Sequence, residues 1–214
     1  MTESSAAVST APAKPPSFWE DVIDIFFQPA DVFRRRQTKS MWPPLLFVAI
    51  AIGVISYFTF AAMQPIIDAE FARGMAKAMA KNPQFTQEMA DKMRATSESI
   101  GKFVIGPTML IIMLVLGLVT WLLGKLVGAK QTLQAAMVVA AWAYFPRIIG
   151  AVISGAQALF MDPSKLTSQM SVSLSPARFL DPDASNQLLF QFLGRLDLIT
   201  IWVTVLLAIG LCVT

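Results

Sequence analysis

The chain has 214 residues, of which 55% are hydrophobic and only 14% are charged, and its mean hydropathy is +0.59. Soluble domains carry about 25% charged residues, so this chain has too few charged side chains to cover a surface in water, and a soluble globular protein is excluded. The chain has no histidine, one cysteine and a net charge of +3, which argues against a disulfide framework, a Cys/His metal site, histidine catalysis and a nucleic-acid partner.

The first predicted element follows a tail, residues 1–16, whose small residues and prolines predict disorder. Ser17 and Glu20 have the spacing of a helix capping box, so a helix begins after Ser17 and ends before Pro29. Its apolar residues recur at helical spacing on one face: Phe18, Trp19, Val22, Ile23, Phe26 and Phe27. Acidic residues occupy the opposite face. The pattern predicts an amphipathic helix that lies along the membrane surface.

The residues that follow this helix are basic. Arg34, Arg35 and Arg36 precede the first long apolar stretch, and we expect them to attract anionic lipids. The aromatic residues of the helix are its expected interfacial anchors: Phe18, Trp19, Phe26 and Phe27. A docking surface for a partner protein is the alternative. Basic residues before a first span usually stay in the cytoplasm, so the N-terminus is predicted to be cytoplasmic.

Four uncharged stretches are long enough to cross a hydrocarbon core of about 30 Å as helices. They are residues 43–63, 103–124, 133–161 and 198–214, and Arg147 is the only charged residue within them. The sequence therefore predicts an all-α fold in which residues 17–214 form one membrane domain. This polytopic helical bundle has four transmembrane helices plus the N-terminal interfacial helix.

Two short amphipathic helices are predicted between the first two spans. Their apolar repeats are Ile67, Phe71, Met75 and Met79, and then Phe85, Met89 and Met93. The methionines raise the alternative of a thioether site for Cu(I). Because methionine is an ordinary apolar filler and no cysteine or histidine stands nearby, we predict no metal site.

The second span carries small residues on one face. Gly117, Trp121, Gly124 and Gly128 recur at intervals of four, three and four residues. Gly124 and Gly128 form a Gly-x-x-x-Gly pair, which lets two helices approach closely. The partner is either another helix of the same chain, which we expect, or the same face of a second copy.

The third span contains a proline and a charge near its middle. Residues 133–161 would form about 43 Å of helix, but Pro146 lacks the N–H that an unbroken helix needs. Arg147 then falls near the bilayer centre, where an unpaired arginine costs about 2.5–3.5 kcal/mol. We expect backbone carbonyls and trapped water to be its partners. The alternative partners are the carboxylates near the ends of the spans: Asp68, Asp162 and Asp197.

Three segments resemble bacterial members of the Yip1-domain family of membrane proteins. The first is FWEDVIDIFFQPADVFRRR, followed by MWPPLLFVAI at the start of the first span. The second is QTLQAAMVVAAWAYFPRIIGAVI with its aromatic–Pro centre. The third is LDLITIWVTVLLAIGL, with Asp197, Trp202 and Gly210 at the family's usual places. The resemblance extends from Phe18 to the end of the chain.

This resemblance implies a multi-pass membrane protein with a cytosolic N-terminus, here in the bacterial inner membrane. Eukaryotic members are linked to vesicle trafficking and to Rab GTPases at Golgi and ER membranes, a role that is not assigned to particular residues of this chain. Members usually have five helices, so the resemblance also implies that the fifth is missing here.

Two functions are compatible with these residues. Neither a nucleophile paired with a base nor a nucleotide-binding loop is present, so no enzyme activity and no cofactor are predicted. The leading hypothesis is a scaffold or adaptor that binds the lipid bilayer and membrane or peripheral proteins. The alternative is a small transporter or channel subunit, because a broken helix with a midplane charge, here at Pro146 and Arg147, is typical of substrate paths. The spans contain few other polar side chains, which favours the scaffold.

Overall fold

The computed structural model describes residues 16–82, 84, 86–126 and 128–214, so nearly all of the predicted disordered tail lies outside the described residues. Its α-helices are α1 Phe18–Phe27, α2 Pro29–Arg36, α3 Trp42–Lys81, α4 Gln87–Leu126, α5 Leu133–Ala143, α6 Pro146–Phe160, α7 Gln187–Arg195 and α8 Leu198–Val213. Three short 3-10 helices lie between α6 and α7: Pro163–Lys165, Gln169–Val172 and Pro176–Phe179. No strand occurs in this part of the chain, and the predicted all-α fold is confirmed.

Three of the four predicted spans are long, apolar helices. α3, α4 and the pair α5–α6 are each long and apolar enough to cross a membrane. The fourth predicted span is shorter, because α8 has only 16 residues, or about 24 Å of helix. α7 and α8 together meet the same criterion, with a bend of 54° between them. The described residues therefore contain three helices long and apolar enough to span a membrane, or four if α7 and α8 form one bent span.

The two short helices predicted between the first two spans are not separate elements. α3 runs without a break from Trp42 to Lys81, and α4 runs from Gln87 to Leu126. The prediction was wrong because a change from apolar to amphipathic sequence alters the surroundings of a helix without interrupting its hydrogen bonds. Each helix has 40 residues and is about 60 Å long, roughly twice the thickness of the hydrocarbon core. About half of each helix therefore extends beyond the membrane.

The helices pack as a bundle around aromatic and aliphatic side chains. Trp142, Phe145 and Phe33 are among its largest fully buried side chains, and the rings of Trp142 and Phe145 stack with their centroids 4.8 Å apart. α3 and α5–α6 run in one direction, whereas α4 and α8 run in the other. Small residues allow close approach: Gly53 of α3 lies against Gly106 of α4.

The first two helices form a hairpin that is held by buried charges. The capping box at Ser17 and Glu20 is present as predicted. Asp21 of α1, however, is fully buried and accepts hydrogen bonds from both Arg35 and Arg36 of α2. The predicted water-facing acidic side of α1 is therefore wrong for Asp21, because α2 folds back and covers this side with arginines. All three arginines expected to attract lipid thus bind carboxylates within the chain, since Arg34 pairs with Asp31.

The apolar residues of α1 are divided between two surroundings. Phe18 packs against the rings of Phe47 and Trp142, and Phe26 packs against Trp202. The other two expected anchors face outward: Trp19 is 64% exposed and Phe27 is 79% exposed. The Trp19 ring also packs edge-on against Phe47, so the hairpin lies against the bundle while the exposed parts of Trp19 and Phe27 are free to contact lipid.

Replacement of Asp21 by asparagine tests the buried cluster. Removal of one partner from a buried ion pair costs about 3–5 kcal/mol, and we expect the lower end because the side chains of Arg35 and Arg36 are 27% and 23% exposed. The measurement is the free energy of unfolding in an uncharged detergent.

Asp31→Asn is the matched control, because the pair formed by Asp31 and Arg34 is exposed on both sides. The control should lose less than about 1 kcal/mol. Equal losses in the two variants would show that the cluster does not hold the hairpin.

Candidate functional site

The first break in the bundle separates α5 from α6 at Tyr144 and Phe145. Pro146 has no N–H, so the chain makes tighter bonds there: the N–H of Arg147 donates to the carbonyl of Tyr144 at 2.9 Å, and that of Ile148 to Phe145 at 3.0 Å. The predicted break at Pro146 is confirmed. It places Arg147 in the first turn of α6.

A second break separates α7 from α8 at Leu196 and Asp197. The Asp197 carboxylate caps α8, because it accepts a hydrogen bond from the N–H of Thr200 at 3.0 Å. It also accepts one from the N–H of Leu174 at 2.9 Å, which joins the segment 169–174 to the start of α8. From this point α8 runs back along α5. α6 and α8 therefore begin at the same height in the bundle and run in opposite directions.

The two breaks meet through Arg147. Its Nη2 donates to the Thr200 hydroxyl at 3.1 Å, and that hydroxyl lies 3.3 Å from Oδ1 of Asp197. Backbone carbonyls and water remain predicted partners of Arg147, and the structure adds a partner that was not predicted, the hydroxyl of Thr200 on the neighbouring helix. Of the alternative carboxylates, Asp68 binds Arg94 instead. Within the described residues no carboxylate forms an ion pair with Arg147.

A cavity of about 510 Å³ lies beside these breaks. α3, α4, α6, the start of α8 and the segment 169–174 all contribute to its wall. The polar side chains on the wall include Ser56, Thr59, Arg147, Ser154, Ser173 and Thr200. Most of the remaining wall is apolar. The cavity that contains Arg147 therefore has hydroxyl groups from several elements on its wall.

Sequence reasoning missed this convergence of polar groups. The spans contain few polar side chains, and they come from segments as far apart as Ser56 and Thr200. One signal was available in α3, where Ser56 and Thr59 lie one turn apart on the same face of an apolar span.

Hydrogen bonds hold the segment 169–174 against α6. The Ser154 hydroxyl donates to the carbonyl of Val172 at 3.0 Å, and the Gln157 amide donates to the same carbonyl at 3.3 Å. Arg178 in turn donates to the amide oxygen of Gln157 at 2.7 Å. The segment 169–174 is therefore held against α6 and forms one wall of the cavity.

Beyond the membrane, the ends of α3 and α4 form what we call the cap: residues 64–81, 87–102 and 161–186. Arg94 of α4 binds Asp68 of α3 at 2.7 Å, and Arg73 donates to the carbonyl of Thr167 at 2.6 Å. Hydrogen bonds to Glu98 and Asp68 raise the pKa of Arg94, so this cation keeps its charge at all physiological pH values. These contacts join the three parts of the cap.

The predicted packing face of the second span lies against other parts of the same chain at Gly117 and Gly124. Gly117 lies against Met137 of α5, and Gly124 lies against the side chain of Gln131, so both make room for neighbours within the chain. Trp121, on the same face, has its ring 5.9 Å from the ammonium of Lys125.

Gly128 corrects the prediction of a Gly-x-x-x-Gly packing pair. α4 ends at Leu126, and Gly128 follows it with a φ of 77°, a left-handed conformation that favours glycine. The N–H of Gly128 bonds to Lys125, and that of Ala129 to Gly124, which is the pattern of a Schellman cap. Gly128 therefore ends the helix and does not pack on a neighbour.

A family comparison covers nearly all of the structure. The Yip1 domain model matches residues 23–214. The chain belongs to the Yip1-domain family. No curated protein and no solved structure matches it. The match includes the cavity, the cap and all membrane-spanning helices of this Yip1-domain protein, which is an integral membrane protein. Within the described residues no group of Cys, Asp and Glu side chains could hold a metal ion.

Cysteine labelling tests whether the cavity contains water. In a Cys212→Ser background, we expect Ser56→Cys to react with a charged, membrane-impermeant thiol reagent, because its side chain lines the cavity. Val54→Cys is the control at similar depth, because Val54 lies on the outer surface of α3 and would face lipid. A thiol reacts only as the thiolate, which requires water. Ser56→Cys should therefore react at least ~10-fold faster than Val54→Cys in open membrane fragments. Equal rates would show that the cavity is closed to water.

Proposed function

We propose that this Yip1-domain protein is a non-enzymatic membrane scaffold or adaptor that organises the membrane by presenting its cap to a protein partner. The supporting observation is the exposure of the first half of α4. Over residues 87–102 only Ala90 is buried, although the helix continues for several turns beyond the membrane. This part of α4 makes few contacts with the rest of the chain. Most of its surface is therefore available to a partner.

One apolar stripe on this helix is suited to a partner. Met89, Met93 and Ile100 lie on one side of α4, and each is about half exposed. Methionine adapts its shape to a partner, and an apolar stripe bordered by charges is typical of a protein contact. The charges of the cap are mixed, which suits a protein surface better than nucleic acid.

The side of the membrane that the cap faces follows from the basic residues before α3. Arg34, Arg35, Arg36 and Lys39 favour a cytoplasmic N-terminus in a bacterial inner membrane. The cap then faces away from the cytoplasm. Labelling of intact cells should therefore modify Gln87→Cys and spare Lys130→Cys, and the opposite result would invert the orientation.

Photo-crosslinking tests the adaptor proposal. A photoreactive residue at Ser97, on the same side as the methionine stripe, should form a protein adduct of one defined mass in native membranes. The double variant Met89→Glu, Met93→Glu should lose the adduct without loss of stability, because both side chains are half exposed.

Ala95→Glu is the control, since it places the same charge on the opposite side of α4. This variant should keep the adduct. An adduct that survives the methionine substitutions, or labelling of lipid alone, would contradict an adaptor role for this surface.

A small transporter or channel subunit is the second candidate, and the cavity at Arg147 supports it. Interrupted helices whose ends meet near a charge inside the membrane are common at solute sites of transporters. The hydroxyl groups of Ser56, Ser154 and Thr200 add the polar lining that a path requires. This candidate needs water access from both sides of the membrane, whereas the adaptor needs none.

A further inference from the structure

We propose that the cavity at Arg147 binds an anionic amphiphile, a molecule with one carboxylate or phosphate head group and an apolar body. The proposal names a ligand class for the cavity that supports the second candidate function. It rests on that cavity but requires only binding, whether or not the ligand crosses the membrane.

Arg147 has unused hydrogen-bonding capacity. A guanidinium has five N–H donors, and within the described residues it makes one hydrogen bond, to Thr200. The Tyr144 ring is its other close neighbour, with the centroid 5.9 Å from Cζ. A cation at this depth is costly unless it is paired, so a partner anion would stabilise it.

Asp197 does not fill this role, although it lines the same cavity. Its Oδ2 accepts from the N–H of Leu174, and its Oδ1 accepts from the N–H and the hydroxyl of Thr200. The Thr200 hydroxyl has a single proton, so it donates to Asp197 and accepts from Arg147. Both oxygens of Asp197 are therefore occupied at the start of α8. The N–H donors of Arg147 that do not bind Thr200 remain available to a ligand.

The rest of the cavity wall is mostly apolar. The aliphatic lining includes Ile52, Met63, Ile105, Met109 and Ile199. A volume of about 510 Å³ lies within the roughly 300–1,000 Å³ of small-molecule sites. A small inorganic anion would leave this apolar wall against water, whereas an apolar body would cover it. An anionic amphiphile matches both the available donors of Arg147 and the apolar wall.

The head group can be a carboxylate, as in a fatty acid, or a phosphate, as in a lysophospholipid. Both accept two parallel hydrogen bonds from the planar fork of arginine. The Ser56 hydroxyl, which also lines the cavity, offers one further contact.

Thermal unfolding of the full chain in an uncharged detergent tests the proposal. The probes are oleate, oleoyl lysophosphatidate, methyl oleate, acetate and inorganic phosphate. At about ten times Kd, a bound probe should raise Tm by about 3–5 °C. We expect this shift with oleate or oleoyl lysophosphatidate, and the more effective of the two identifies the head group. Methyl oleate, which has the same apolar body without the charge, should give no shift.

Variants locate the bound anion. Arg147→Met should abolish the shift, and Lys130→Gln, which changes an exposed cation outside the cavity, should keep it. If Arg147→Met does not fold, Arg147→Lys retains the charge without the fork and should bind at least ~10-fold more weakly.

Three outcomes would overturn the proposal: an equal shift with methyl oleate, an equal shift with acetate or phosphate alone, or an unchanged oleate shift in the Arg147 variants. The readout is binding and not flux. A failure of the transport candidate therefore leaves this result intact, and a failure here leaves the adaptor proposal intact.

Discussion

The structure depends on how two interrupted helices meet inside the membrane. Backbone polar groups have no water partners there, so each break must satisfy its groups within the protein. At the first break tight turn bonds around Pro146 do so, and at the second the Asp197 carboxylate caps α8. The bond from Arg147 to Thr200 joins the two breaks, and it holds the starts of α6 and α8 at one level.

The position of this junction determines the two features that matter for function. α8 starts partway along the bundle and lies beside only part of α5–α6, so the segment 169–174 fills the remaining space beside Ser154. The cavity lies between this segment, α3 and the junction. Beyond it, α3 and α4 continue past the membrane, because neither Pro65 in α3 nor Pro107 in α4 ends its helix, although each lacks the N–H of one backbone hydrogen bond. A membrane core with a polar cavity and an exposed cap therefore result from the same set of long and interrupted helices.

Local chemistry made much of the fold predictable. Uncharged runs locate the spans, and the missing N–H of Pro146 locates the first break, since both properties belong to short stretches of sequence. Tertiary contacts were not predictable: Arg147 and Thr200 are 53 residues apart, and Asp21 meets Arg35 only because α1 and α2 form a hairpin. For the candidate site, the sequence identified its charge but not its hydroxyl groups, which come from separate helices.

The junction of the two breaks is tested most directly by a double-mutant cycle. The free energy of unfolding would be measured for Arg147→Met, Thr200→Val and the double variant. If the Arg147 guanidinium and the Thr200 hydroxyl bind each other, the double variant should be more stable than the sum of the single losses predicts, by about 0.5–3 kcal/mol. Losses that add to within about 0.3–0.5 kcal/mol would contradict the account, because they would show that the starts of α6 and α8 do not interact there.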